Sequence, residues 1–228
     1  MNISLLRLLQ LSDPALPVGG FSHSAGLETY VQYGIVKDKD TASTFLVNML
    51  TRNIQYTDAA FLSLAYDAAG KSNLDKIYQL DNECTAVKLP KEMRQASQKL
   101  GKRLIKIFAS LQNHELINNY HEGINRQQLT GHYCIAFGLL AQAFAIPKQQ
   151  ALAGFYYNMA AGMVTNCVKL VPLSQQSGQE ILFAIQPLLQ ELTEKSMHPD
   201  ETLIGLCCTA FDIRSMQHER LYSRLYMS

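Results

Sequence analysis

No uninterrupted apolar stretch in the chain reaches the roughly 18 residues needed to cross a bilayer as a helix. The opening segment, Met1 to Leu11, is too short and too amphipathic for a secretory leader, and no small-residue cleavage site follows it. Cysteines are few, odd in number and scattered: Cys84, Cys134, Cys167, Cys207 and Cys208. A chain of 228 residues can bury a core without covalent staples, so reduced thiols and a cytoplasmic location are expected. Charged residues, at 17%, fall below the usual quarter, while 47% are hydrophobic, which excludes a disordered chain. Convincing apolar–polar alternation between turn signals is missing, as are low-complexity linkers and fixed-period repeats.

Catalytic signatures are equally scarce. No Gly-x4-Gly-Lys-Ser/Thr loop is present, so the Pro17-Val-Gly-Gly-Phe-Ser-His-Ser24 segment reads as a buried turn rather than a phosphate cradle. Ser22, His23 and Glu28 lie close in sequence, but no nucleophile elbow frames them. The six histidines show no His-Glu-x-x-His pattern, and His132-x-Cys134 and Cys207-Cys208 lack the paired spacing of a zinc site. No cofactor, no tight metal site and no catalytic residue are expected.

What is present is helical periodicity over nearly the whole length. Leu5, Leu8 and Leu9 mark a first short helix. Ser22 reads as the cap of a second, with Leu27, Tyr30 and Val31 on its buried face and Gly34 closing it. Asp40, Thr57-Asp58 and Ser72 read as starts of three more, and Pro90 as the first residue of a long basic helix. A polar stretch, Gln112 to Gln128, reads as a motif-free variable loop. Two strongly apolar helices follow, His132 to Ala145 and Pro147 to about Leu170, then one from Ser174 that Pro187 kinks. The pattern predicts one all-α domain over residues 1–228 with about eight to ten helices.

The formal charge of +1 conceals an asymmetry. The segment from Lys88 to Lys106 carries +6 and the remainder −5. The basic helix 91–106 is either a solvated face or a surface that steers an anionic partner. Nucleic acid is disfavoured, because no aromatic platform interleaves with the charges. Lys169 stands isolated among apolar neighbours, so it either snorkels or pairs with a carboxylate. The tail, residues 216–228, carries Arg220, Leu221, Tyr222, Arg224, Leu225 and Tyr226. That composition suits a segment docked on its own domain or on a partner.

Four segments together resemble the urease accessory protein UreF family. They are Ser12-Asp-Pro-Ala-Leu-Pro-Val-Gly-Gly-Phe-Ser-His-Ser-Ala-Gly-Leu-Glu28, Met93-Arg-Gln-Ala-Ser97 with Lys99-Leu-Gly101, Cys167-Val-Lys-Leu-Val-Pro-Leu-Ser-Gln-Gln-Ser-Gly-Gln179, and His218-Glu-Arg-Leu-Tyr-Ser-Arg-Leu225. They occur in the family's order and span almost the whole chain. The resemblance implies an all-α, non-catalytic homodimer. It implies binding to UreD (UreH in some organisms), recruitment of the GTPase UreG, and delivery of nickel to apo-urease, with no nucleic acid or membrane among the partners.

By position, the resemblance places the Phe21 loop and the Arg224 tail at partner-binding surfaces, and Phe21, His23, Glu28, Lys169, Arg220, Tyr222, Arg224 and Tyr226 are the candidate partner-binding residues. Phe21 stands where some relatives have tyrosine, so any hydroxyl contact is missing. Two other classes compete: a helical metal-dependent hydrolase using Ser22 or His132, and a peripheral membrane protein using the basic helix.

Overall fold

The computed structural model describes residues 3–13, 16–19, 24, 26–206, 208–222 and 225. Among them no strand occurs, and the all-α class stands. Twelve α-helical segments are described: α1 (Ile3–Leu11), α2 (Leu27–Gln32), α3 (Lys39–Asn48), α4 (Asp58–Gly70), α5 (Leu74–Val87), α6 (Lys91–Leu111), α7 (Glu115–Asn125), α8 (Tyr133–Ala143), α9 (Lys148–Leu170), α10 (Gln175–Ala184), α11 (Gln186–Ser196) and α12 (Thr209–His218). A π-helical turn and a 3-10 turn fill the gap between α3 and α4. The number exceeds eight to ten, because the stretch 112–128 contains α7 and the helix expected from Ser174 onward is two. Pro187, in the first turn of α11, starts a new helix at Ile185 instead of kinking an old one.

The centre of the molecule is α8. Every residue from Tyr133 to Ala141 is buried, as a helix apolar on all sides demands. Two glycines set how closely its neighbours approach. A Cβ on Gly138 would lie 2.5 Å from the Leu62 carbonyl oxygen of α4. A Cβ on Gly101 of α6 would lie 2.2 Å from the Gly131 carbonyl oxygen, just before α8. Around this axis the rings of Tyr133, Phe137 and Phe155 form a tilted and edge-on cluster that joins α8 to α9.

Local capping differs from expectation at three points. Asp38, not Asp40, caps α3, accepting from the Thr41 amide while Thr41 answers the Asp38 amide. Asn73 caps α5, and Ser72 occupies the left-handed region at φ 51° just before it. Pro90 is the extended residue preceding α6 rather than its first helical one. Residues 112–128 are also no mere loop. They form α7, whose Leu116, Ile117, Tyr120 and Gly123 are buried.

One buried carboxylate organises the entry to α8. Asp81 on α5 is fully buried and accepts from the Tyr120 hydroxyl at 2.9 Å, the Thr130 amide at 2.7 Å and the Thr130 hydroxyl at 2.8 Å. It also accepts from the Gly131 amide at 3.1 Å and the His132 amide at 3.0 Å. Hydrogen bonding this dense offsets the desolvation of the charge and pins α5, α7 and α8 to one another.

Candidate partner-binding surface

The segments singled out at the two ends of the sequence meet at α2 and α12. The buried face of α12 is Phe211, Ser215 and His218, at helical spacing. It closes on α2 through Gly26, which precedes the helix with φ +77°. A Cβ there would lie 2.7 Å from Ser215 Oγ and 3.2 Å from the Phe211 ring, so only glycine allows this approach. Beside this face Arg214 stacks over Tyr33, the residue that ends α2, at 4.5 Å from the ring centroid.

His218 fixes the far end of α12. Its side chain is 1% exposed, with Nε2 3.1 Å from Glu28 and Nδ1 2.7 Å from Glu92 on α6. Each ring nitrogen thus faces a carboxylate from a different segment, so the ring bridges the start of α2 and α6. Glu28 has a second duty: its other oxygen accepts from the Leu225 amide at 2.8 Å. One buried carboxylate thus holds both the last helix and the segment after it.

With those groups turned inward, the outward side of this region is apolar. Ile213, Met216, Tyr222 and Leu225 are all exposed, Tyr222 and Leu225 almost completely, as are Tyr33 and Ile35 after α2. A second exposed apolar set lies on α1: Ile3, Leu5, Leu6 and Leu9. Burial raises the pKa of Tyr30, with the nearby Cys208 thiol adding to the rise. Asp212 is raised by the same desolvation, so both ends of the α2–α12 contact disfavour charge.

Of the residues named from the sequence, Glu28 is the buried anchor just described, Lys169 is exposed in the last turn of α9, and Arg220 and Tyr222 are exposed. Phe21, His23, Arg224 and Tyr226 lie outside the described residues, as does Ser22 with its expected cap. The loop before α2 is held from α6: Arg103 donates to the Val18 carbonyl at 3.2 Å, and its guanidinium fills the space where a Gly19 Cβ would stand. Lys99, Lys102 and Lys106 of the basic helix are exposed. Glu92 and His218 were not singled out individually. For His218 the signal is the i, i+4, i+7 spacing of Phe211, Ser215 and His218 in an otherwise polar helix, and for Glu92 there is none in its own segment.

His132 has no room for catalysis. It is fully buried, its Nε2 2.9 Å from the Thr85 hydroxyl and its Nδ1 3.1 Å from Ser97 Oγ. Both ring nitrogens are engaged in the core, which removes the base from the hydrolase reading. Among the described residues no cluster of three or more His, Cys, Asp or Glu forms a metal-binding group. None of the described helices is long and apolar enough to cross a membrane.

Beside α8 lies a cavity of about 210 Å³, walled by Met93, Leu100, Met159 and Met163. Asp58 and Lys88, an ion pair at 2.7 Å with side chains 12% and 11% exposed, also face it. Burial would raise the Asp58 pKa, but the Lys88 charge and hydrogen bond outweigh it and hold the carboxyl below its usual range. Lys88 is shifted upward in turn, despite its burial, by Asp58.

Comparison with known proteins adds a family. The model of the UreF family matches residues 36–186. A urease accessory protein UreF of Actinobacillus pleuropneumoniae serotype 5b (strain L20) is 48% identical over 221 residues, covering 97% of both chains. One from Haemophilus influenzae (strain PittEE) is 47% identical over 221 residues, covering 97% of this chain and 94% of its own. One from Lachnoclostridium phytofermentans is 32% identical over 228 residues, the full length of both.

Proposed function

Since the chain belongs to the UreF family of urease accessory proteins, we propose that it acts in urease maturation as a non-catalytic adaptor. In this reading it forms a cytoplasmic homodimer, binds UreD (or UreH) and recruits the GTPase UreG. The assembly hands nickel to apo-urease. The adaptor surface is the apolar side of the α2–α12 region, with the Phe21–His23 loop, Lys169 and the segment containing Arg220, Tyr222, Arg224 and Tyr226 contributing at its edges.

The observation that carries this reading is the split of roles within one region. Glu28, Glu92 and His218 turn inward and fix the backbone. Ile213, Met216, Tyr222 and Leu225 turn outward on it with no cover among the described residues. A rigid scaffold presenting aromatic and aliphatic anchors is the composition of an interface core. The basic face of α6 adds a means of steering an acidic partner.

The test is affinity capture of the full-length protein with UreD and UreG of the same organism. The Met216→Glu and Ile213→Glu variants should keep the native circular dichroism and lose at least tenfold in UreD or UreG capture. Both variants capturing both partners at wild-type levels would overturn this surface as the adaptor face.

A further inference from the structure

Two of the buried cysteines lie against each other. Cys84 on α5 and Cys134 on α8 are each fully buried, fifty positions apart in sequence, with sulfurs 3.7 Å apart. Nothing in the adaptor role uses them. Their surroundings are not the inert apolar core in which most buried thiols sit. His132 and the Lys88 ammonium stand next to Cys84, and Lys88 interacts electrostatically with both sulfurs.

A cavity open to solvent comes close to the pair. The 210 Å³ cavity is lined by Asp58, Lys88, Ser97 and Tyr133. Tyr133 is the neighbour of Cys134 in the chain, and Ser97 holds the His132 ring. Gly162, exposed at the surface, lines the same cavity, so a small neutral molecule can enter from water as far as Lys88 and Tyr133, while neither sulfur itself lines the cavity.

We propose that Cys84 and Cys134 form an oxidation site that reduces a hydroperoxide and closes to an intramolecular disulfide between α5 and α8. Cys84 is the attacking sulfur. Burial pushes its thiol up, but the contact with Cys134 and the influence of His132 and the Lys88 charge outweigh that and favour its thiolate. Cys134, by contrast, is raised by burial and stays protonated as the resolving thiol. Cys167, buried without such neighbours, is pushed up to about 12 and is the internal control.

The chemistry balances with the peroxide as oxidant. The Cys84 thiolate attacks one peroxide oxygen, the O–O bond breaks, and the departing hydroxide takes a proton to become water. Cys84 is then a sulfenic acid. The Cys134 sulfur attacks the Cys84 sulfur, an S–S bond forms, and the S–O bond breaks. The leaving hydroxide carries off the Cys134 proton as a second water. Two thiols have given two electrons and one hydrogen peroxide has become two waters.

The experiment treats the reduced, folded, full-length protein with hydrogen peroxide, alkylates the remaining thiols after denaturation, and maps the tryptic peptides. The expected product joins peptide 77–88 to peptide 127–148, lighter than the two reduced peptides by two hydrogen atoms and cleaved by dithiothreitol. Cys167 should remain alkylated. In the Cys134→Ser variant the link should be replaced by a Cys84 sulfenic acid that dimedone traps. If that variant does not fold, mapping of the unaltered protein still decides. Recovery of Cys84 and Cys134 both alkylated, or of a disulfide that uses Cys167, Cys207 or Cys208 instead, would overturn the proposal.

Discussion

Glu28 and His218 are 190 positions apart in the chain and 3.1 Å apart in the fold, both buried, and each has a further partner. The pair is the clasp that makes one surface of two distant segments. The seating of α12 against α2 and α6 rests on it.

Breaking the clasp should therefore loosen a defined region rather than the whole molecule. His218→Ala leaves the Glu28 and Glu92 carboxylates buried without their shared donor, a change that costs about 3 kcal/mol when a buried charge loses its partner. Hydrogen exchange should rise across residues 209–225 while α8 stays protected. Glu92→Gln should cost less, because the Glu92 side chain is 16% exposed against 4% for Glu28. Equal exchange in the unaltered and His218→Ala proteins would show that α12 is held by something else.

The Asp58–Lys88 pair predicts a pH profile. A carboxyl held below its usual range contributes stability that is present above its unfolded pKa of about 3.9 and is lost as pH falls through the lower, folded value. An ammonium shifted upward contributes stability present below its unfolded pKa of about 10.4 and lost only as pH rises through the higher, folded value. Urea unfolding should show a plateau through neutral pH, bounded on the acid side by Asp58. Asp58→Asn should be less stable on that plateau by about 3 kcal/mol. The difference from the unaltered protein should shrink below about pH 4. A difference constant down to the lowest pH would detach Asp58 from the acid limb.

Two glycine-to-alanine changes should move stability in opposite directions. At Gly101 the new methyl meets the backbone of Gly131 and His132, at 2.2 and 2.6 Å, in the stretch that Asp81 pins. That backbone cannot step aside, and overpacking should cost about 1–3 kcal/mol. At Gly162 nothing lies within 4 Å of the added Cβ, and the helix gains about 0.8 kcal/mol in propensity. Thermal unfolding of the two variants in parallel checks both signs.

Features that a short window of sequence encodes were legible before the structure. The apolar run of α8, the Thr57-Asp58 start of α4 and the closing Gly34 at φ +68° are all local. What failed locally was the choice between neighbouring polar residues: Asp38 over Asp40, and Asn73 over Ser72, are decided by which side chain reaches a free amide. The stretch 112–128 hid α7 because its buried residues are spaced among histidines, asparagines and glutamates.

At the candidate surface, the family resemblance flagged Glu28 and composition the last segment, but neither showed that Glu28 faces inward. That direction is set by His218 and Leu225, which no window around residue 28 contains. His132 likewise reads as available chemistry in a list of histidines. Its two hydroxyl partners, Thr85 and Ser97, come from helices 35 to 47 positions away.

The crowded carboxylate of Asp81 has a consequence for biosynthesis. Its acceptors are filled by residues 120 and 130–132, which leave the ribosome well after Asp81 does. Through that interval the carboxylate must stay hydrated, so α5 cannot settle into its final place ahead of the α8 entry. The final docking of α5 is thereby tied to the arrival of α7 and of the entry to α8.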